Sequence, residues 1–385
     1  MADPAVTGPT PREPIRLVQV GAGAMGRVWL KVIGDSPDAE LVGLIDIDTD
    51  VARRAAAEAG FADVPVAYSL DQLLANVDAD AVVNVTIPAS HPGVSMTALL
   101  AGLPVLCEKP LAETVGEALS MVAAAEVSGR LLMVSQSRRY WRQLAAYRRQ
   151  ISQLGAVNVV NCSFFKAPHF GGFREEMAFP LLLDMAIHQF DLARDLIGAE
   201  PIAVYCESFN PTGSWYRGDA AALAVFEFEG GARFAFNGSW CSPGLETSWN
   251  GSWRVTCLGG SAVWDGDHGP VAADANGRSV IADPDDEPEQ IAGSLAEFVA
   301  ALRANTVPPS EAHSNVLSLA MVEAAIASAR SGRRVLIADI LTDGHLEALN
   351  TEERPEIRDA LEAWSSVHDI VGLTSRTRAA QPETS

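Results

Sequence analysis

Gly21-Ala22-Gly23-Ala24-Met25-Gly26 has the spacing G-x-G-x-x-G, between an apolar run, Ile15–Val20, and a helical pattern over Arg27–Ile33. In that setting the first Gly allows a tight turn. The second lets the backbone approach a pyrophosphate, and the third lets the helix pack on the strand. The helix start presents free N–H groups and a partial positive charge to phosphate oxygens. Ala24 and Met25 complete this dinucleotide-binding turn. Asp46 lies 20 residues beyond Gly26, at the end of the next strand, Leu41–Ile45. A carboxylate there accepts hydrogen bonds from a ribose 2′-hydroxyl and repels a 2′-phosphate. Residue 47 is Ile rather than Arg, so the expected cofactor is NAD rather than NADP. Asp48 is a second carboxylate nearby, but Asp46 fits the strand end better.

Two further groups have chemical potential. Glu108-Lys109-Pro110 follows the strand Val105–Cys107, at the carboxyl edge where open α/β sheets bind ligands. Asp184 and His188 are spaced i, i+4 and share one helix face. Read singly, a loop Lys is a solvated charge. A His within Leu-Leu-Leu-Asp-Met-Ala-Ile-His is more often a satisfied core residue. Their order along one chain, behind a dinucleotide turn, is what makes them candidates.

The elements that position these groups alternate. Strands at Ile15–Val20, Leu41–Ile45, Ala81–Ile87, Val105–Cys107 and Leu131–Val134 are separated by helical patterns. Ser69 with Gln72, and Thr114 with Glu117, form capping boxes that open two of the helices. Such alternation builds βαβ units and a parallel sheet covered on both faces. After about residue 150 the pattern becomes short strands: 156–166, 202–209, 220–228, 233–240, 253–258 and 262–264. Gly230-Gly231 and Gly259-Gly260 read as hairpin turns between them. Helices are expected near 182–196 and 314–330. The fold class is α/β: an N-terminal Rossmann domain over 14–136 and a C-terminal α+β domain over 137–338. The latter carries a mainly antiparallel open sheet of about five or six strands. Residues 339–385 form a C-terminal extension, partly disordered, with one helix near 356–367 and a loose last dozen. Residues 1–14 are Pro-rich and polar and are expected to be disordered.

The formal net charge of −21, from 49 acidic and 28 basic residues, repels nucleic acid and anionic membranes. The five cysteines show neither a Cys-x-x-Cys pair nor a zinc spacing, so no metal is expected and the thiols read as free in a reducing compartment. The N-terminus lacks an apolar leader core, and no run of 18 apolar residues occurs. The expected location is cytoplasmic.

The sequence of motifs, G-x-G-x-x-G, then E-K-P, then D-x-x-x-H, resembles the Gfo/Idh/MocA oxidoreductases. Residues 81–111, AVVNVTIPASHPGVSMTALLAGLPVLCEKPL, are similar to that family's fourth strand, helix and lysine segment. Residues 295–335 are similar to its closing helical segment, and the likeness runs from about 14 to 338. The resemblance implies a dehydrogenase moving a hydride between nicotinamide and a hydroxyl-bearing carbon of a sugar, sugar derivative or cyclitol. It implies that Lys109 contacts the reacting oxygen, that His188 is the acid/base and that Asp184 assists. Glu108 and Lys109 also border the cofactor. The chemistry agrees: taking hydride from a carbinol carbon also requires taking the hydroxyl proton, which suits an imidazole. An ammonium stabilises charge building on the oxygen. Asp184 either orients His188 or bonds the substrate.

The family's Gly-Gly-Gly run before this Asp is replaced by Ala178-Phe179-Pro180-Leu181-Leu182-Leu183, so specificity does not transfer. Candidate substrate contacts are Lys166, His169, Arg174, Arg139 and Tyr140. His91 either borders the nicotinamide or caps a helix. Trp240, Trp249, Trp253 and Trp264 either stack on a sugar or pack the sheet. An open sheet needs cover, so a homo-oligomer, dimer or tetramer, is expected through it. Two alternatives stand beside the dehydrogenase. One is an NAD-dependent glycoside hydrolase of the same family, the other a non-catalytic dinucleotide-sensing regulator.

Overall fold

In the computed structural model, residues 13–284 and 286–373 are described. The first half is a parallel sheet of β1 (Ile15–Val20), β2 (Ala39–Ile45), β3 (Val66–Ala67), β4 (Ala81–Asn84), β5 (Val105–Glu108) and β6 (Leu132–Ser135). Their order is β3-β2-β1-β4-β5-β6. The crossovers are α1 (Ala24–Asp35), α2 (Thr49–Glu58), α3 (Leu70–Leu74), α4 (His91–Leu100) and α5 (Val115–Ser128). The strand order reverses between β1 and β4, so the carboxyl ends of the central strands meet at a ligand-binding crevice. Both expected caps form, with the return bond shifted by one residue. Ser69 accepts from the Gln72 N–H and Thr114 from the Glu117 N–H. The returning Gln72 and Glu117 side chains accept from the N–H groups of Tyr68 and Glu113, one residue before each cap.

The second half opens with α6 (Arg142–Gln153), a helix the sequence reading passes over, and β7 (Val157–Phe165). Then come α7 (Phe173–Glu176), a π-helical stretch Leu181–Ala186 and α8 (Ile187–Ile197). The strands β8 (Pro201–Phe209), β9 (Ala221–Phe228), β10 (Arg233–Ser239), β11 (Ser252–Cys257) and β12 (Gly260–Trp264) match the expected ones. Short strands β13 (Val271–Asp274), β14 (Ser279–Val280) and β15 (Val335–Leu336) extend them to nine, more than the five or six expected. The three additions are too short to show an alternating pattern. The order is β14-β13-β12-β11-β7-β10-β9-β8-β15, antiparallel throughout except for the β7–β10 pair. Both Gly-Gly turns sit where expected, Gly230 and Gly231 with φ of 73° and 88°.

The last helices return to the first half. Leu295, Phe298 and Val299 of α9 (Gln290–Ala304) join Trp29, Leu30 and Ile33 of α1 in one core. α10 (Ala312–Ser331) ends at Gly332 in the left-handed region and buries Val316, Leu319 and Ala320 in the other core. Instead of one helix near 356–367, the extension forms α11 (Ile337–Thr351), α12 (Pro355–Ala363) and α13 (Val367–Ile370). α11 and α12 pack on α5. A Cβ at Gly116 would strike the Glu347 side chain and one at Gly344 would strike Val115, so α5 and α11 approach through two glycines. The apolar set Leu341, Ala348, Ile357 and Leu361 is fully buried. It is dispersed among charges, which hides it from a composition reading. The expected disorder of residues 1–12 and 374–385 lies outside the described residues.

Candidate active site

Each glycine of the first turn answers to a different neighbour. Gly21 has φ of +105°, and a Cβ there would lie 2.6 Å from the Val85 carbonyl oxygen, at the end of β4. A Cβ on Gly26 would meet the Gly21 carbonyl oxygen. A Cβ on Gly23 would meet no protein atom within 4 Å, so nothing in the protein itself demands glycine there. That is what a turn shaped for close approach by a pyrophosphate requires. Gln19, fully buried, fastens the turn by donating Nε2 to the carbonyls of Gly21 (2.8 Å) and Gly26 (2.9 Å). Ala24 and Met25 start α1 immediately behind.

Asp46 stands just past β2. One carboxylate oxygen accepts from the Ala22 N–H at 2.7 Å and the other from the Asp48 N–H at 2.9 Å. Its rival Asp48 caps α2, accepting from the N–H groups of Asp50 and Val51. Arg53 reaches along its own helix to Thr49 and Asp50. No guanidinium is therefore bonded to Asp46 among the described residues.

Three strand ends away, Glu108 closes β5. Its carboxylate is buried, accepts from the Trp29 indole at 2.9 Å and from the Lys109 N–H at 3.1 Å, and burial raises its pKa. The candidate cofactor residue Glu108 is thus a tie between α1 and the lysine segment. His91 makes a second tie. Buried at the start of α4, its ring lies 2.8 Å from the Pro110 carbonyl and 3.2 Å from that of Thr86. It fixes the loop carrying Lys109 against the end of β4.

Lys109 Nζ donates to the Asp184 backbone carbonyl at 2.9 Å and lies 3.5 Å from its carboxylate. Arg174 Nε donates to the other Asp184 oxygen at 2.7 Å. The π-helical stretch, with more than four residues per turn, still keeps Asp184 and His188 on one side. The Asp184 carboxylate is bonded to Lys109 and Arg174 and not to His188, which narrows the two roles left open for it. His188 is buried, and no hydrogen bond to its ring is found among the described residues; Nδ1 is enclosed without a partner. A histidine kept for structure has its ring nitrogens occupied, as His91 does. Burial, then Lys109, then Arg138 hold the His188 pKa well below the usual imidazole value.

The five candidate substrate contacts fare differently. Arg174 joins Asp184 and lies over the rings of Phe170 and Phe173. His169 stacks on Trp215 at 3.8 Å. Lys166 pairs with Glu246 at 2.9 Å and lies over Trp249. Arg139 is taken up by protein groups: its Nε and Nη2 grip Asp191 at 2.7 and 2.8 Å, and Nη1 donates to the Pro309 carbonyl. Tyr140 donates its hydroxyl to Glu297 of α9. Trp240, Trp253 and Trp264 are buried in the sheet layer, while Trp249 is exposed beside Phe170. The residue that the sequence reading passes over is Arg138, whose guanidinium donates Nη1 to Asn250 Oδ1 at 2.6 Å. Two adjacent arginines in sequence give no sign of which is tied to a carboxylate and which to an amide. Among the described residues no group of three or more His, Cys, Asp or Glu side chains is placed to hold a metal.

Known proteins are similar to this chain. Residues 15–136 match the oxidoreductase family with an NAD-binding Rossmann fold, and residues 144–263 match the Gfo/Idh/MocA C-terminal domain. The chain belongs to the Gfo/Idh/MocA family of oxidoreductases. Among its relatives is inositol 2-dehydrogenase 4 of Saccharopolyspora erythraea, 30% identical over 338 residues, 83% of this chain and 95% of that protein. Another is the 1,5-anhydro-D-fructose reductase of Ensifer adhaerens, 25% identical over 82% of this chain and 96% of that protein. An oxidoreductase from Agrobacterium radiobacter, solved with NAD+, L-tartaric acid and magnesium, has the same fold. It superposes with a TM-score of 0.78 at 20% identity, covering 86% of this chain and all of that one.

Proposed function

We propose that this protein is an NAD-dependent dehydrogenase that oxidises a hydroxyl-bearing carbon of a sugar, sugar derivative or cyclitol, or reduces the matching carbonyl. The observation that carries this reading is the meeting of Lys109 with Asp184 beside a His188 whose ring has no hydrogen-bond partner among the described residues. All three stand at the carboxyl edge of the sheet whose first turn is shaped for a pyrophosphate. The names of the relatives, inositol 2-dehydrogenase and 1,5-anhydro-D-fructose reductase, support the substrate class.

Gly21, Gly23 and Gly26 with Ala24 and Met25 would hold the pyrophosphate, and Asp46 the adenosine ribose. Bound NAD supplies a two-electron acceptor for the hydride leaving the carbinol carbon. The residues of the chain handle the oxygen and its proton. His188, kept neutral, takes the hydroxyl proton onto an imidazole nitrogen. The Lys109 ammonium faces the oxygen as negative charge develops. Asp184 holds Lys109 by two contacts, and Arg174 holds Asp184. In the reverse direction His188 returns the proton.

Assembly through the open sheet belongs to the same proposal. Ile202 and Tyr205 of β8, Leu223 and Val225 of β9, Val159 of β7 and Val263 of β12 are exposed on the same sheet, which fits cover by a second copy. Five free, buried thiols suit a reducing cytoplasm. No helix among the described residues is long and apolar enough to cross a membrane.

The test mixes protein, NAD and a polyol panel and follows absorbance of the reduced nicotinamide. Net reduction of NAD is expected. Sugar release without it would establish the glycosidase alternative, and NAD binding with neither would leave the regulator.

A further inference from the structure

Among the described residues, each of the two arginines buried below one tenth exposure is matched to a carboxylate. Arg139 is clamped to Asp191 and Arg194 to Glu200. Arg148, less buried, has Asp195 at 2.5 Å. Arg138, half-buried like Arg148, has no such carboxylate partner among the described residues. Its guanidinium is largely withdrawn from water, enough to bring its pKa down to about 10. Yet its one hydrogen bond among the described residues goes to a neutral amide, Asn250 Oδ1. Asn250 is itself fixed, donating Nδ2 to the Gly266 carbonyl at 2.7 Å. The nearest source of negative charge is Asp267, beyond ion-pair distance and bonded to Ser248. Of the five guanidinium N–H donors, those on Nε and Nη2 carry no protein partner among the described residues. Withdrawing a cation from water without an ionic partner is costly. A chain with 49 acidic and 28 basic residues has no shortage of carboxylates to supply one.

Position says which ligand the free edge serves. Arg138 follows β6, three strands from β1 and its pyrophosphate turn. At about 4.8 Å per strand that is roughly 14 Å, too far for the same phosphates. Instead it is next to β5, which ends in Lys109, and its turn packs on α8. Arg139 holds Asp191, three residues along α8 from His188, so Arg138 is anchored beside the reacting centre. Gln136, on the same turn, is fully buried with both ends of its amide unpartnered. Lys109 and Arg174 both hold the Asp184 carboxylate, Lys109 and Arg138 both bring positive charge to His188, and Glu108 is bonded to Trp29.

Resting on the dehydrogenase reading above, we infer that the substrate is a sugar acid, a polyol bearing a carboxylate that Arg138 receives. A planar carboxylate matches the fork of Nε and Nη2, and a guanidinium holds it bidentately.

The experiment measures binding to the protein–NADH complex by calorimetry. The probes are D-glucuronate, D-galacturonate and D-gluconate, each against its neutral counterpart D-glucose, D-galactose and D-glucitol. At least one acid should bind roughly ten- to a hundredfold more tightly than its counterpart, the size of one or two charge-assisted hydrogen bonds. Arg138→Gln should bring that ratio to within about threefold of one, and Arg138→Lys should restore only part of it. NAD titration of each variant reports that the first domain is folded. Equal binding of every acid and its counterpart in the wild type overturns the inference, as does a preference that survives Arg138→Gln. Tighter binding of D-glucose 6-phosphate than of any carboxylate overturns it in favour of a phosphate. None of these outcomes requires turnover. Failure of the dehydrogenase reading would show separately, as acids that bind but never reduce NAD.

Discussion

At the β1–α1 turn the backbone sets the terms. Gly21 and Gly26 are forced by main-chain carbonyls within 3 Å of a would-be Cβ. Gln19 ties both of their carbonyls, and Asp46 takes the Ala22 N–H. At the edge formed by β5, β6 and α8 the terms are set by side chains from distant segments: Lys109, Arg138, Arg174, Asp184 and His188. Among the described residues, several of their polar atoms have no protein partner. A site made by the backbone recurs wherever the fold recurs, and it announces itself as a short motif. A site made by side chains from separate loops can change its ligand without changing the fold. The first should therefore be sensitive to shape and the second to chemistry.

The largest effect should come from breaking the second site while sparing the first. Lys109→Ala or His188→Ala should lower kcat by roughly 10²–10⁴, the usual worth of a positioned acid/base or oxyanion group. NAD affinity, measured by fluorescence titration, should move less than about threefold, since neither change touches the Gly21–Gly26 turn. Lys109→Arg should rescue little, because a planar fork cannot replace an ammonium held by the Asp184 carbonyl. Near wild-type turnover in His188→Ala would return His188 to the core.

The pH profile sharpens the same contrast. A histidine with its ordinary pKa of 6.5 would lose its basic form as the pH falls through that value. His188 is held lower, by burial first and then by Lys109 and Arg138. Its neutral form therefore persists below pH 6.5, and the oxidation rate should fall only at more acid pH. Arg138→Gln removes one opposing cation and should move the inflection upward. An inflection at or above 6.5 in the wild type would contradict this account.

Within the first site, the glycines should separate stability from binding. Gly26→Ala puts a methyl onto the Gly21 carbonyl and should cost about 1–3 kcal/mol of stability by overpacking. Gly23→Ala meets no protein atom, so its unfolding free energy should stay within the range of an ordinary surface change, about 0.5 kcal/mol. Its NAD affinity should nonetheless drop by about tenfold or more, because the added methyl occupies the approach of the pyrophosphate. Equal NAD affinity in Gly23→Ala and wild type would remove the pyrophosphate from this turn.

How much of this was legible follows from the same difference. The first turn and Asp46 could be placed from spacing alone, because strand, turn and helix are contiguous. The six longer strands showed alternation, while β13, β14 and β15 are too short to show any. Lys109 and His188 were legible as types and order, but their meeting with Asp184 was not, since it spans 75 residues. Arg139 and Arg138 are neighbours in sequence with opposite fates, one on Asp191 and one on Asn250. Only the three-dimensional course of the turn after β6 decides which is which. The π-helical turn before His188 and the helical extension over α5 likewise depend on packing rather than local pattern.

The smallest effect concerns Asp46, where charge and geometry act together. Its two oxygens hold the N–H groups of Ala22 and Asp48, so it both shapes the turn and presents negative charge to the ribose. Asp46→Ala removes both roles, whereas Asp46→Asn removes the charge and keeps one acceptor oxygen. Asp46→Ala should weaken NAD by roughly tenfold, the worth of a hydrogen bond to a charged group, and Asp46→Asn by less. Both should raise the NADP-to-NAD ratio, because the repulsion of a 2′-phosphate is gone. Neither should make NADP the better cofactor. Arg53 is turned back to Asp50 and Thr49, and Ile47 offers no donor from its side chain, so no cation replaces the lost carboxylate. Steady-state kcat/KM for the two cofactors gives the ratio. A ratio unchanged in both variants would mean that NADP is turned away by the shape of the turn, as the glycines are fixed by it, and not by the charge of Asp46.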